Sequence, residues 1–165
     1  MIGFLRTIAQ ALAAQDSPKQ LAAGFALGAA VGLIPKASLL AQLLLILLTA
    51  SEASMATGAL AMLIFAALGY LLDPVLHPIG AFLLGQAALH GLWTWLYNLP
   101  IVPWTEFNNT VVLGAFVFSA AIAYPLYRAM IPAFEKYGAT IGAHIRRFKV
   151  MQLLLGANVA SKFTP

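Results

Sequence analysis

Residues 53–72 read ASMATGALAMLIFAALGYLL, 20 positions with no charge between Glu52 and Asp73. A helix rises about 1.5 Å per residue, so about 20 apolar residues cross the roughly 30 Å hydrocarbon layer of a bilayer. The stretch predicts a membrane-spanning helix that ends at Asp73-Pro74. Its surroundings agree. Between Lys19 and Arg128 there are only four charges: Lys36, Glu52, Asp73 and Glu106.

The whole chain of 165 residues is 62% hydrophobic and 8% charged, with mean hydropathy +0.90. Soluble domains carry about 25% charged residues, so too few polar side chains are present to cover a water-facing surface. The expected fold is all-α, a polytopic membrane helical bundle of one domain. With no Cys, disulfides and thiolate metal sites are excluded. The net charge of +4 resides mainly in the tails. Basic tails set topology and touch anionic lipid, so membrane lipids rather than nucleic acid are the expected partners.

Outward from residues 53–72 the apolar stretches are interrupted. Asp16-Ser17-Pro18 is a helix start, with Pro18 at the first helical position. Residues 21–50 are apolar except at Pro35-Lys36, and each half is about 15 residues, or roughly 22 Å as helix. Neither half spans a bilayer comfortably. The segment is either one long helix kinked at Pro35 or a re-entrant hairpin with its tip at Ile34-Pro35-Lys36. A second broken region is expected from Val75 to Pro103, and a last span from Asn108 to Tyr127, stopped by Arg128. A broken segment followed by a clean span, twice over, allows an inverted repeat. Phe65-Ala-Ala-Leu-Gly-Tyr70 and Ser119-Ala-Ala-Ile-Ala-Tyr124 echo one another faintly.

The ends read as interfacial helices. Residues 1–16 place Ile2, Leu5, Ile8, Ala9 and Leu12 at helical spacing. Too short and polar for a cleaved signal peptide, they suit a helix lying in the membrane plane. Residues 132–165 form a basic amphipathic tail, with Arg146, Arg147 and Lys149 suited to lipid headgroups. Residues 17–131 are the transmembrane domain between them. Arg6 and Lys19 at one end and the basic cluster at the other put both termini in the cytoplasm, so the number of crossings is even.

Several residues are candidates for function, each with a plainer alternative. Gly24, Gly28 and Gly32 recur every four positions on one helix face, where small residues let two backbones approach closely. With Pro35 they read first as packing residues. Lys36 is an ionisable group in a long uncharged stretch; if it lies deep it needs a partner such as Asp73 or Glu106, and otherwise it snorkels. Asp73 and His77 are four residues apart and suit a proton relay or substrate contact, or simply a helix end with a satisfied His. Asn108 or Thr110 can cap the last helix, with Glu106 near its positive end. Trp93, Trp95, Tyr97 and Trp104 resemble an interfacial aromatic belt. Asp73, His77 and the distant His90 match no metal-ligand pattern. Metalloprotease, nucleophile-elbow, Walker and dinucleotide motifs are absent, so no enzymatic activity and no cofactor are expected.

Ser17-Pro18, then Ala22-Ala23-Gly24-Phe25-Ala26-Leu27-Gly28, then Val31-Gly32-Leu33-Ile34-Pro35, resembles the opening signature of a bacterial integral-membrane domain-of-unknown-function family. Leu71-Leu72-Asp73-Pro74 is similar to that family's second marked position. Leu96-Tyr97-Asn98 and Phe107-Asn108-Asn109-Thr110-Val111-Val112-Leu113-Gly114 resemble a proteobacterial subgroup. The resemblance covers residues 17 to about 128; Lys36 departs from the family pattern, so it lends that residue no role. It implies a bacterial inner-membrane location and, from the gene neighbours of the subgroup, a membrane or periplasmic protein partner. A homo-oligomer is also open. Together the readings point to a non-enzymatic subunit for transport or lipid handling, or else to a structural membrane anchor. Lys36, Asp73, His77 and Asn108 are its substrate or relay candidates.

Overall fold

The computed structural model of the protein describes residues 16–147, with side chains through residue 137, and Ser17 starts the first helix among them. Those residues form five α-helices and no strand. In α1 (Pro18–Leu33) the Ser17 hydroxyl accepts from the Gln20 N–H, and the Gln20 side chain accepts from the Ser17 N–H. This reciprocal cap satisfies two donors that a helix start leaves over, and Pro18 has no donor to satisfy. The residue before a proline avoids helical backbone, and α1 accordingly stops at Ile34, which is extended ahead of Pro35. Ser38 then opens α2 (Leu39–Ala50): its hydroxyl accepts from the Ala41 N–H and donates to the Pro35 carbonyl.

The direction of each helix follows from cross-helix contacts. α3 (Met55–Leu84) begins beside the start of α1, where the Ser54 N–H donates to the Gln20 carbonyl (2.9 Å) and Thr57 Oγ1 donates to the Leu21 carbonyl (2.8 Å). Farther along, Gly28 meets Gly58, Gly32 meets Met62, Phe65 and Ala66, and Leu33 lies beside Gly69. α1 and α3 therefore run parallel and in direct contact, and α2 carries the chain back outside them to the end where α3 begins. Residues 21–50 are thus a helical hairpin that leaves at the end where it entered, and the single kinked helix is excluded. The reason is local: Pro35 ends one helix, and the Ser38 cap starts another at once.

α3 runs on past the point where the hairpin turns back. Asp73-Pro74 does not end it; the helix passes through Pro74 and Pro78 to Leu84, 30 residues in all. An interior Pro costs roughly 3 kcal/mol. Here the residues beyond it are held by packing, since Leu76 is fully buried and Gly80 lies against Thr110 of the last helix. The second broken region consequently starts at Gly85, not Val75. It comprises a 3-10 turn (Ala87–Leu89), α4 (His90–Tyr97) and a second 3-10 turn (Val102–Thr105).

The last helix, α5 (Thr110–Arg147), also outruns its expected length. It passes through Pro125 and Pro132, does not stop at Arg128, and crosses the expected boundary between residues 131 and 132. Gly80 facing Thr110, and Gly114 facing Leu76, make α5 antiparallel to α3. Phe25 of α1 reaches Phe134 of α5, so α1, α3 and α5 all pack on one another. The core lies where the hairpin tip meets the other two: Leu33, Ile34, Ala41, Leu76, Val112 and Ala115. Met55–Leu84 and Thr110–Tyr137 are long and apolar enough to cross a membrane, and most of each faces outward. The expected interfacial helix at residues 1–16 falls almost wholly outside the described residues. So do Lys149 and the side chains of Arg146 and Arg147.

Candidate functional site

Three places bring together the residues singled out from sequence: the hairpin tip, the glycine seams and the loop end of the bundle. At the tip, Lys36 Nζ donates to the carbonyls of Val31, Gly32 and Ile34, each at 2.6 Å. The last carbonyls of a helix have no partner within it and carry partial negative charge. Lys36 meets both needs and uses all three of its ammonium protons in doing so. The expectation that a deep Lys36 pairs with Asp73 or Glu106 is corrected: nearby carbonyls of its own chain take their place. Gln42 Nε2 donates to the Lys36 carbonyl (2.9 Å), tying the tip to α2. Pro35 beside it is half-buried.

The glycine seams are made of backbone contact. A Cβ at Gly24 would collide with the Ser54 carbonyl and one at Gly28 with the Gly58 carbonyl, while one at Gly32 would stand 2.7 Å from Phe65 Cβ. All three glycines therefore face α3, and that face is already occupied within the chain. A second seam was not read from sequence. Gly80 of α3 lies on the Thr110 carbonyl and Gly114 of α5 on the Leu76 carbonyl. The two glycines belong to different helices, so no spacing rule connects them before the crossing is known.

Asp73 and His77 share a face of α3, because the helix persists through Pro74 and Pro78. His77 Nδ1 shares a hydrogen bond of 2.7 Å with Thr110 Oγ1, which links α3 to the start of α5. Asp73 is half-buried. Among the described residues, no group of three or more His, Asp or Glu side chains is placed to hold a metal ion.

The loop end holds an open cavity of about 410 Å³ lined by Leu84, Trp93, Thr94, Tyr97, Asn98, Phe107 and Asn108. Phe107 is its floor, 8% exposed, with Trp93 at 6.0 Å and Tyr97 at 6.5 Å between ring centroids. The indole N–H of Trp93 donates to the Leu83 carbonyl (3.1 Å), fixing that ring against the end of α3. Glu106 makes the turn that delivers Phe107, with left-handed backbone (φ 57°) that costs a non-glycine residue about 1–2 kcal/mol. The turn is closed by the Glu106 N–H donating to Pro103 and the Asn109 N–H donating to Glu106. Asn109, not Asn108 or Thr110, caps α5: its Oδ1 accepts from the N–H groups of Val111 and Val112. Asn108 is thereby left to the cavity.

The four substrate or relay candidates consequently do not converge. Lys36 belongs to the tip, Asp73 and His77 to α3, and Asn108 to the cavity. The aromatic belt divides as well. Trp95 and Trp104 point outward, 60% and 74% exposed; Trp93 and Tyr97 line the cavity, Tyr97 at its open edge and itself 55% exposed.

No protein-family model matches the chain, and no solved structure matches it. An uncharacterized protein of Treponema pallidum (strain Nichols) is 29% identical over 140 residues, covering 83% of this chain and 86% of that protein.

Proposed function

We propose that this is a non-enzymatic, multi-pass protein of a bacterial inner membrane, acting in lipid handling or transport together with a partner protein. The carrying observation is the hairpin. α1 and α3 run parallel from a common end, and α2 returns to that end along the outside. With α3 and α5 as the spans, α1 and α2 enter and leave on the same side, which makes them a re-entrant hairpin. Leu33 lies opposite Gly69, so the tip reaches about 21 Å along α3 from Met55, well within a hydrocarbon layer of about 30 Å. Interrupted helices at membrane depth are where transporters bind their cargo. Two spans leave both termini on one side, in keeping with the basic residues at each end. The short segment 85–109 would be a reduced counterpart of the first hairpin at the opposite face, in the manner of an inverted repeat. Lipid handling is the favoured branch, because the cavity opens at the membrane-surface end of the bundle among outward-pointing tryptophans.

The chain has no native Cys, so single cysteines report topology cleanly. Cysteines at positions 19 and 52 should label from the cytoplasmic side, one at 98 from the other side, and one at 36 from neither. Labelling of 19 and 52 from opposite sides would remove the hairpin and the proposal with it. In liposomes holding the protein, a fluorescent lipid with an uncharged polar headgroup should exchange between leaflets faster than in empty ones. An unchanged rate, with the partner also present, would remove the lipid-handling branch.

A structural membrane anchor is the second reading, and the saturation of Lys36 by carbonyls favours it. Under it, alanine at Lys36, Asp73, His77 and Asn108 leaves the cellular phenotype intact, while larger residues at Gly24, Gly28 or Gly32 abolish it.

A further inference from the structure

The cavity at the loop end is uncharged but not apolar, and that combination narrows what it can hold. None of its lining residues is Asp, Glu, Lys, Arg or His. An ionic headgroup would find no countercharge there. Its volume of about 410 Å³ falls in the range of small-molecule sites, about 300–1,000 Å³.

The polar groups divide into used and unused. Trp93 Nε1 donates to Leu83, Thr94 Oγ1 donates to His90 (2.8 Å), and Asn98 Nδ2 donates to Thr94 (2.7 Å). These bonds hold the wall in place. Asn98 keeps its Oδ1 as an acceptor, and Tyr97 keeps its hydroxyl. Asn108 makes no side-chain hydrogen bond among the described residues, so it offers both a donor and an acceptor. These three residues are exposed, so a plain acyl chain seated here would displace water from them without replacing its hydrogen bonds, at a cost. Hydroxyl groups, which donate and accept alike, satisfy them.

The aromatic surface supplies the other half. Trp93 and Tyr97, one turn apart on α4, both contact Phe107, which is packed beneath them. The face of an aromatic ring is electron-rich and attracts weakly positive C–H groups. A sugar ring presents C–H groups on its faces and hydroxyls around its rim, and so meets both kinds of wall at once.

We infer that this cavity is a binding site for an uncharged polyhydroxyl group, a sugar free or at the head of a lipid, stacked on Trp93 and Tyr97 and hydrogen-bonded by Asn108 and Asn98. The lipid-linked form rests on the proposed membrane role; the free form does not.

Trp93 serves as the reporter once the outward-pointing tryptophans are silenced with Trp95→Phe and Trp104→Phe. This variant is placed in phosphatidylcholine nanodiscs and titrated with methyl glucoside, or prepared with increasing glucosyl diacylglycerol. A saturable shift in Trp93 emission, reduced at least tenfold in affinity by Asn108→Ala, supports the site. Saturation by the glucosyl lipid alone identifies a headgroup, and saturation by both identifies either source. A flat response to both probes overturns the inference, and so does an equal response to diacylglycerol without sugar. If the protein does not enter nanodiscs, the membrane proposal fails separately. The methyl glucoside titration in aqueous buffer then still decides the site. Asn108→Gln, which keeps the amide, restores part of the response if the amide is the contact.

Discussion

α1 and α2 are two arms of one hairpin, with Lys19 in the first turn of α1 the one charge on either, yet they occupy opposite environments. α1 buries Ala22, Gly24, Ala26, Gly28, Ala29, Ala30, Val31, Gly32 and Leu33. α2, richer in leucine, buries only Ala41 and Leu48 and turns Leu43, Ile46 and Leu47 outward. The more hydrophobic arm is the outer one. This inverts the rule for water-soluble proteins, where large apolar side chains are driven inward. It is what lipid as solvent predicts, because a leucine gains little by leaving lipid tails for protein. Small residues go inside instead, since they let backbones touch. Leu48 is instructive as the exception: it fills the notch that Gly58 leaves in α3.

The most severe test of this contrast is Gly28→Leu. Its side chain would have to occupy space held by the Gly58 backbone, so α1 and α3 must separate. Overpacking a core costs about 1–3 kcal/mol where side chains can yield. Here a backbone must yield, and the variant should fail to give a monodisperse species in detergent. Gly114→Leu should do the same at the other seam, where the Leu76 carbonyl blocks it. If either protein behaves like the parent on size-exclusion chromatography, the close seams are not what holds the bundle.

The next effect lies at the turn joining the arms. Lys36→Met removes the donor to three carbonyls at the end of α1 and should cost about 2 kcal/mol. Thermal unfolding in detergent would read this as a lower midpoint, with Lys36→Arg recovering part of it. An unshifted midpoint would mean that the carbonyls find other partners, and the tip would then be free to engage a substrate.

A smaller effect belongs to the one side chain that ties the inner arm to α3 by a hydrogen bond. Thr57→Val keeps the shape and removes the bond from Oγ1 to the Leu21 carbonyl. Hydrogen bonds between membrane helices average about 0.6 kcal/mol. The midpoint should fall by less than for Lys36→Met; a larger fall would give side-chain bonding a weight here assigned to glycine contact.

These contrasts mark where the sequence was informative. The helix start at Ser17-Pro18 was legible because its signals are local and agree. The glycine face of α1 was legible because its residues share one helix. The ends of α3 and α5 were misread because proline is a local signal, while Leu76, Gly80, Val112 and Gly114 hold the continuing helices by contacts across the bundle. The kinked span and the hairpin could not be told apart, since only the parallel pairing of α1 with α3 decides between them. The cavity was hidden for a similar reason. Trp93 and Trp95 differ by two residues and look alike in sequence, but the short α4 turns one inward and the other out. Asn108 was singled out as a cap, and Asn109 fills that role.

The smallest expected effect tests the outer arm directly. Leu47 is 51% exposed on α2 and meets the surroundings rather than the core. Leu47→Ala removes apolar surface without opening a cavity and keeps a good helix former. With lipid or detergent around the protein, the change in stability should stay below about 0.5 kcal/mol, the size usual for surface positions. Leu48→Ala, one position on, removes the side chain seated against Gly58 and should cost several times more. Equal losses at 47 and 48 would mean that α2 is covered by something as closely packed as protein. The outer face of the hairpin would then be an interface with another chain instead of a surface turned to lipid.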